Sequence, residues 1–192
     1  MKILLLSLTW ITLFAFNFNK APGTHTDMRS FVLQSKPTEA EQVRNEVLAF
    51  MAWYKNNIGT ASKIQLVNQK EGIPYSVNFK NGERYLAFLK TSNRLTDSYL
   101  NEWRKFFKER EQGFKLTAQK EGPPTGFEYD LVMLSQEVDL QLASLDSIKI
   151  DAVHVSGNKA TVYCTLLDSY EFRLIRRNNR WMINEILNLS QE

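Results

Sequence analysis

Apolar side chains recur at helical spacing in two long segments of the chain. The first segment follows Thr38, which together with Glu41 has the pattern of a capping box at a helix start. We expect this helix to end at Gly59, because glycine is common just past a helix end. Its apolar stripe comprises Val43, Val47, Phe50, Met51, Tyr54 and Ile58.

The second long helix is predicted to follow Thr96. One side of it carries Tyr99, Leu100, Trp103, Phe106 and Phe107.

The segments around these helices have weaker patterns. Tyr75, Val77 and Phe79 alternate as in a short strand, and residues 83–91 are predicted to form a short helix. The stretch "EQGFKLTAQKEGPPTGF" predicts a long surface loop that begins near its first glycine. A short helical turn is expected over residues 129–136.

The final part of the chain alternates apolar and polar positions as strands do. Four runs, "SIKIDAVHV", "KATVYCTLL", "YEFRLIRR" and "RWMINEILNL", are rich in β-branched and aromatic residues, and turn formers separate them. They predict an antiparallel meander of four strands. In the first run the alternation places His154 on the same face as Ile148 and Ile150. We expect the amphipathic helices to cover one face of this sheet, which is an α+β architecture.

The N-terminal residues predict export. Lys2 precedes an apolar run over residues 3–16 without ionised side chains, which is the layout of a secretory signal peptide. The alternative is an uncleaved anchor. The apolar run is, however, shorter than the roughly 20 residues that span a bilayer. We expect no stable membrane span once the signal is removed. The predicted organisation is a signal peptide at 1–21, a linker at 22–37 and a single α+β domain at 38–192, in a periplasmic or extracellular protein.

Charge and composition argue against several function classes. The net charge of +3 falls almost to zero when Lys2 and Lys20 leave with the signal, since the 24 basic residues become 22 against 21 acidic ones. We therefore expect no nucleic-acid partner. Cys164 is the only cysteine, so no disulfide forms within the chain. The two histidines, His25 and His154, are not at metal-ligand spacing. The sequence thus predicts neither a metal site nor a cofactor.

Candidate site residues lie just before the sheet and on it. No nucleophile or phosphate-loop motif is present, so no catalytic residue is predicted. The candidate ligand-binding residues are Tyr129, Asp130, His154 and Arg173. One interpretation pairs His154 with Asp130 or Asp168 for proton transfer in a cavity, because a histidine beside a carboxylate can titrate near neutral pH. The other treats His154 as a solvated residue near a strand end.

The segments "FMAWYKNN", "LKTSNRLTDSYL" and "RNNRWMINEI" together resemble a family of secreted bacterial proteins described as domain of unknown function 3828. The resemblance covers residues 40–190. It implies a variant of the nuclear transport factor two-like (cystatin-like) fold, in which helices pack on a strongly curved sheet and leave a conical cavity. It brings no catalytic residues. Pockets of this shape in related folds bind small ligands, support assembly or, less often, catalyse reactions.

The function expected from these patterns is that of an exported, non-enzymatic binding module with a small pocket between helices and sheet. Its ligand is a small molecule or an envelope protein. A small cone-shaped enzyme of isomerase, dehydratase or hydrolase type, using His154 with a carboxylate, is the first alternative. An immunity-type protein that binds a toxin is the second. The resemblance also implies pairing through the open sheet face, which makes a homodimer one of the expected states.

Overall fold

The structure is a computed structural model that describes residues 36–190, so the predicted signal peptide and nearly all of the predicted linker lie outside the described residues. The helices are α1 Glu39–Ala61, α2 Phe79–Lys90, α3 Asp97–Leu116, α4 Val138–Ala143 and a 3₁₀ helix at Ser144–Ser147. The strands are β1 Val67–Lys70, β2 Ile73–Val77, β3 Lys149–Ser156, β4 Lys159–Thr165, β5 Ser169–Arg177 and β6 Arg180–Asn188. β1 and β2 form a hairpin, and β3 to β6 form an antiparallel sheet in chain order. The predicted α+β class with a C-terminal four-stranded sheet is confirmed.

Both long helices begin at the predicted caps. The Thr38 hydroxyl accepts the N–H of Glu41 at 3.2 Å, and the Glu41 carboxylate accepts the N–H of Thr38 at 2.7 Å. Thr96 caps α3 through its hydroxyl. The prediction that α1 ends at Gly59 is wrong, because the helix continues to Ala61. Ala61 is buried, and packing of this last turn offsets the roughly 1 kcal/mol that glycine costs inside a helix.

Two other predicted boundaries are wrong because side-chain contacts extend the helices. Gly113 does not begin a loop, since α3 continues past it. Phe114 in this last turn packs edge-on against Tyr75, with 6.2 Å between ring centroids. Phe79 is the first residue of α2 rather than a strand residue, because the side chain of Asn78 caps the helix there. α2 therefore begins before the predicted residue 83.

The chain returns to the core after α3 through a tight turn over residues 130–135, where a helical turn was expected. The Asp130 N–H donates to the Ser135 carbonyl at 3.0 Å and closes the turn. α4 follows, and the sequence patterns did not predict it. Its buried Gln141 accepts two backbone N–H groups of the β4–β5 turn through its side-chain carbonyl, each at 3.2 Å. These bonds attach α4 to one end of the sheet.

The last hairpin follows the predicted turn. Asn178 and Asn179 occupy the two positions between β5 and β6 with φ of 48° and 61°, the left-handed values that a type I′ hairpin requires. Trp181 is buried just after this turn, and the guanidinium carbon of Arg176 lies 4.6 Å from its ring centroid. The "NN" pair of the sequence therefore closes the sheet, and the tryptophan after it joins the core.

A β-bulge at Asp151 reverses the predicted face of His154. β3 has one residue more than β4 at this point, so the alternation of its side chains shifts by one position. Beyond the bulge Val153 and Val155 face the core, and His154 is exposed on the other face. The prediction that His154 shares a face with Ile150 is wrong for this reason.

The core lies between the helices and one face of the four-stranded sheet, which we call the inner face; the opposite face is the outer face. α1 packs across β3, β4 and β6, and α3 packs along β6. Buried inner-face residues are Ala160, Val162, Cys164, Tyr170, Phe172, Leu174, Trp181, Ile183 and Ile186. Burial raises the pKa of Cys164 to about 12, so its thiol stays protonated and acts as a small apolar core group.

Candidate functional site

The four predicted ligand-binding residues lie on opposite sides of the sheet. Asp130 contacts α1 on the inner side, and Tyr129 precedes it at a shallow cavity beside β1. His154 and Arg173 are exposed on the outer face. Their row of cross-strand neighbours is His154, Thr161, Arg173 and Glu185. Strands are about 4.8 Å apart, so His154 and Arg173 are roughly 10 Å from each other in backbone position. The structure does not bring the four residues together.

Neither proposed carboxylate partner of His154 is within hydrogen-bond reach. Asp130 is on the other side of the sheet. Asp168 lies beyond the far end of β4, whereas Thr161, the strand neighbour of His154, is about 13 Å from that end. His154 instead meets the Tyr163 ring edge-on, with 6.0 Å between centroids. Direct proton transfer between His154 and either aspartate does not fit this geometry, since it requires contact at about 3 Å.

Arg173 is held by two carboxylates on the outer face. Its Nε donates to Glu171 at 2.6 Å, and a terminal guanidinium nitrogen donates to Glu185 at 2.7 Å. These hydrogen bonds raise the pKa of Arg173. We call the three residues the Arg173 group. One cation lies between two anions, so the group carries one net negative charge.

Asp130 joins α1 to the tight turn. The Tyr54 hydroxyl donates to its Oδ2 at 2.5 Å, and the N–H groups of Val132 and Met133 donate to its Oδ1 at 3.0 and 2.7 Å. We call these four residues the Asp130 junction. Burial raises the pKa of Asp130, and the hydrogen bonds oppose this shift. Burial also raises the pKa of Tyr54, so its hydroxyl remains a donor. Both carboxylate oxygens are engaged, and Asp130 thereby positions the turn.

The turn places Leu134 at a cavity between α3 and β6, which we call the α3–β6 cleft. The cavity has a volume of about 260 Å³. Its lining residues are Tyr99, Glu102, Trp103, Phe106, Leu134, Asn184, Glu185, Ile186 and Leu187. The cleft lies between a helix and the sheet, but none of the four predicted residues lines it.

One wall of the cleft is aromatic. Tyr99, Trp103 and Phe106 are spaced four and three residues apart on α3, so they lie on one helix face. The Trp103 ring is edge-on to both neighbours, with centroid distances of 6.3 Å to Tyr99 and 5.3 Å to Phe106. Tyr99 is buried, whereas Trp103 and Phe106 are half-buried. The wall therefore offers aromatic surface to a ligand at moderate exposure.

The hydroxyl of Tyr99 is a buried polar group without a hydrogen-bond partner among the described residues. The side chain is only 5% exposed, and burial raises its pKa. The indole of Trp103 is near enough to lower the pKa of Tyr99, although the two groups do not meet hydrogen-bond geometry. Indole donates only, so it provides no acceptor for the Tyr99 proton. An unpaired buried hydroxyl costs about 1–3 kcal/mol.

Backbone irregularities shape the opposite wall. Leu134 has φ of 50°, a left-handed conformation that strains a branched side chain. In β6 Asn184 is the extra residue of a β-bulge, since Glu185 pairs with Arg173 and Ile183 with Leu174. The side chain of Asn184 accepts the Thr96 hydroxyl at 2.9 Å. Strained residues and bulges are concentrated at functional sites, and here both occur at one cavity.

The charged residues that line the cleft are both acidic. Glu102 projects from α3 and Glu185 from β6. The half-buried Asp130 carboxylate also contributes to raising the pKa of Tyr99, so its field reaches the aromatic wall. No lysine or arginine is among the lining residues described for this cavity. The formal charges of the lining residues are therefore all negative.

A larger cavity, of about 420 Å³, lies beside the end of α3. It is lined by a single aromatic ring, Phe114, and otherwise by Arg110, Gly113, Thr117, Ala118, Gln119 and Thr125. The Arg110 guanidinium carbon is 5.6 Å from the ring centroid of Phe106, although Nε of Arg110 is buried without a partner. This cavity lacks both the aromatic wall and the strained backbone of the α3–β6 cleft, and we regard the latter as the candidate site.

The sequence patterns detected part of this site in a different role. Tyr99, Trp103 and Phe106 were assigned to the apolar stripe of α3. The sequence feature that could have identified them as site residues is the large number of aromatic rings in that stripe. The core does not fully bury two of these rings, Trp103 and Phe106. Leu134 and Asn184 were missed, because a left-handed leucine and a bulge have no signature in the local sequence.

Two observations concern metals and membranes. Within residues 36–190 no group of three or more His, Cys, Asp or Glu side chains is arranged to hold a metal ion. Among the helices of that same range, none combines the length and the apolar composition needed to cross a bilayer.

Comparisons with known proteins add no relative. No family model matches the sequence, and neither the curated proteins nor the solved structures include a significant match. Membership of the family named above stays a prediction.

Proposed function

We propose that this protein is an exported, non-enzymatic binding protein that holds a small molecule in the α3–β6 cleft. The observation that carries the proposal is the cavity between α3 and β6, which has an aromatic wall on one side and the left-handed Leu134 on the other. A volume of about 260 Å³ is below the roughly 300–1,000 Å³ of drug-sized sites, so we expect a ligand of metabolite or fragment size.

The N-terminal pattern and the family resemblance support export to the periplasm or the cell exterior. The order of helices and sheet fits a nuclear transport factor two-like cone, with the cleft at one side of it. We keep a homodimer through the outer face as a prediction, since apolar residues such as Ile175 and Met182 remain partly exposed there in the single chain.

A binding role fits the site better than proton transfer by His154. That alternative needs a carboxylate in contact with the imidazole, and the two candidates are on the other side or at the far end of the sheet. The Asp130 carboxylate is already engaged by three donors. No specific contact favours the immunity-type alternative.

Fluorine NMR of protein labelled with 5-fluorotryptophan tests the proposal. Trp103 lines the cleft, whereas Trp53 packs against Phe88 and Trp181 against Arg176, so the other rings serve as internal controls. In a screen of small-molecule fragments we expect some to shift the Trp103 signal alone. Binding should be lost in Leu187→Phe, which fills the cleft, and retained in Ala118→Phe, which fills the larger cavity. A screen in which no fragment shifts Trp103 overturns the proposal.

A further inference from the structure

We propose that the ligand of the α3–β6 cleft is a small organic cation, an amine or ammonium group on an apolar body. This inference rests on the proposed binding function and specifies its ligand class. Its basis is the combination of an aromatic wall and two glutamates at one cavity. Both features interact favourably with a cation.

The carboxylates at the cleft are only partly neutralised. Glu102 is paired with Lys105 at 3.9 Å, and both side chains are highly exposed, so water screens this contact. Glu185 pairs with Arg173, but Arg173 also pairs with Glu171. The Arg173 group therefore adds a net negative charge beside the cleft. A cation entering the cleft adds a favourable charge interaction, whereas an anion is repelled by both lining carboxylates.

The aromatic wall favours the same ligand class. The face of a tryptophan ring attracts an ammonium group through its quadrupole, and Trp103 is only half-buried. The ring of Phe106 already has one cation beside it, since the guanidinium carbon of Arg110 lies 5.6 Å from the ring centroid. Arg110 itself does not line the cleft. The apolar remainder of the ligand would contact Leu134, Ile186 and Leu187.

The Tyr99 hydroxyl does not supply a directional contact, because its oxygen has almost no accessible surface. It also needs an acceptor for its proton, and an ammonium group only donates. Tyr99 therefore contributes its ring to the cleft. The raised pKa of Tyr99 keeps the phenol neutral, so the negative charge that attracts the cation comes from the carboxylates.

Three probes of matched shape test the ligand class: benzylammonium, benzyl alcohol and benzoate. They differ in charge at one position and are small enough for the cavity. Titration of the Trp103 fluorine signal gives a dissociation constant for each probe. We expect benzylammonium to bind about tenfold more tightly than benzyl alcohol, and benzoate to leave the signal unchanged. The preference should weaken as sodium chloride is raised, because screening reduces charge attraction.

Two isosteric variants connect the preference to the glutamates. Glu102→Gln and Glu185→Gln should each weaken benzylammonium binding about threefold to tenfold and leave benzyl alcohol unchanged. Glu109→Gln is the matched control, since Glu109 is an exposed residue of α3 outside the cleft.

The outcomes distinguish the two proposals. Equal or tighter binding of benzyl alcohol at Trp103 overturns the cation inference and supports the binding function. The same holds if fragments of other classes shift Trp103 while benzylammonium does not. If neither the probes nor the fragment screen shifts Trp103, both proposals fail.

Discussion

The Asp130 junction and the Arg173 group are both polar clusters built from predicted site residues, and they differ in burial. At the Asp130 junction a half-buried carboxylate accepts three hydrogen bonds, which keep the tight turn attached to α1. In the Arg173 group two ion pairs lie at the surface, where water competes with them. We therefore expect the Asp130 junction to contribute more to stability and to the position of Leu134, and the Arg173 group mainly to set local charge.

The same comparison extends to the two faces of the sheet. The inner face is covered by helices, and its side chains form a continuous core. The outer face carries a mixture of charged, hydroxyl and apolar side chains. Substitutions on the two faces should therefore differ in cost even for adjacent residues. The following four predictions test this difference, from the largest expected effect to the smallest.

The first prediction concerns the Asp130 carboxylate. Asp130→Ala should lower the free energy of unfolding by about 3 kcal/mol, because the Tyr54 hydroxyl and two N–H groups lose a buried charged acceptor. Urea denaturation measures the loss. Asp130→Asn keeps one acceptor oxygen for the turn and should cost less than half as much. A loss below about 1 kcal/mol for the alanine variant would contradict the role assigned to the junction.

The second prediction is a pH dependence from the same residue. Burial raises the pKa of Asp130 in the folded protein above its unfolded value near 3.8. Its titration therefore favours folding below pH 3.8 and loses this contribution as pH rises through the folded pKa. Between these two pKa values, the stability of wild type relative to Asp130→Asn should fall by about 1.4 kcal/mol per pH unit. Urea denaturation in steps from pH 3 to pH 7 measures this difference. A constant difference would show that the pKa is not raised.

The third prediction compares adjacent residues on the two faces. Val153→Ala should lower stability by about 1–2 kcal/mol, because Val153 packs toward the core beyond the bulge. His154→Ala should change it by less than about 0.5 kcal/mol, because His154 is exposed. Thermal and urea unfolding of the two variants measure both changes in stability. The reverse order would mean that the bulge is absent in solution.

The fourth prediction concerns the Arg173 group. Arg173→Ala should lower stability by no more than about 1 kcal/mol, since its ion pairs are half-exposed. Removing this cation leaves Glu171 and Glu185 unneutralised beside the cleft. Benzylammonium should then bind more tightly than to wild type, as titration of Trp103 would detect. Weaker binding would contradict the negative potential proposed for the site.

The local sequence was sufficient for elements whose signals lie within a few residues. The capping box at Thr38, the cap at Thr96 and the "NN" turn all depend on neighbouring residues, and all three occur as predicted. The four strands followed from alternation and turn chemistry. Helix ends were harder to predict, because burial of Ala61 and Phe114 outweighed the cost of Gly59 and Gly113 inside the helices.

The amino-acid sequence by itself determined the α+β class and the apolar face of each long helix, since both follow from short periodic patterns. Only the tertiary structure decided that His154 and Arg173 lie on the side of the sheet opposite Asp130, and that Tyr99, Trp103 and Phe106 meet β6 at a cleft. The physical reason is that bulges and interhelical packing arise from contacts between residues distant in the chain. One extra residue at Asp151 moves His154 to the other face, and alternation within β3 alone does not reveal it.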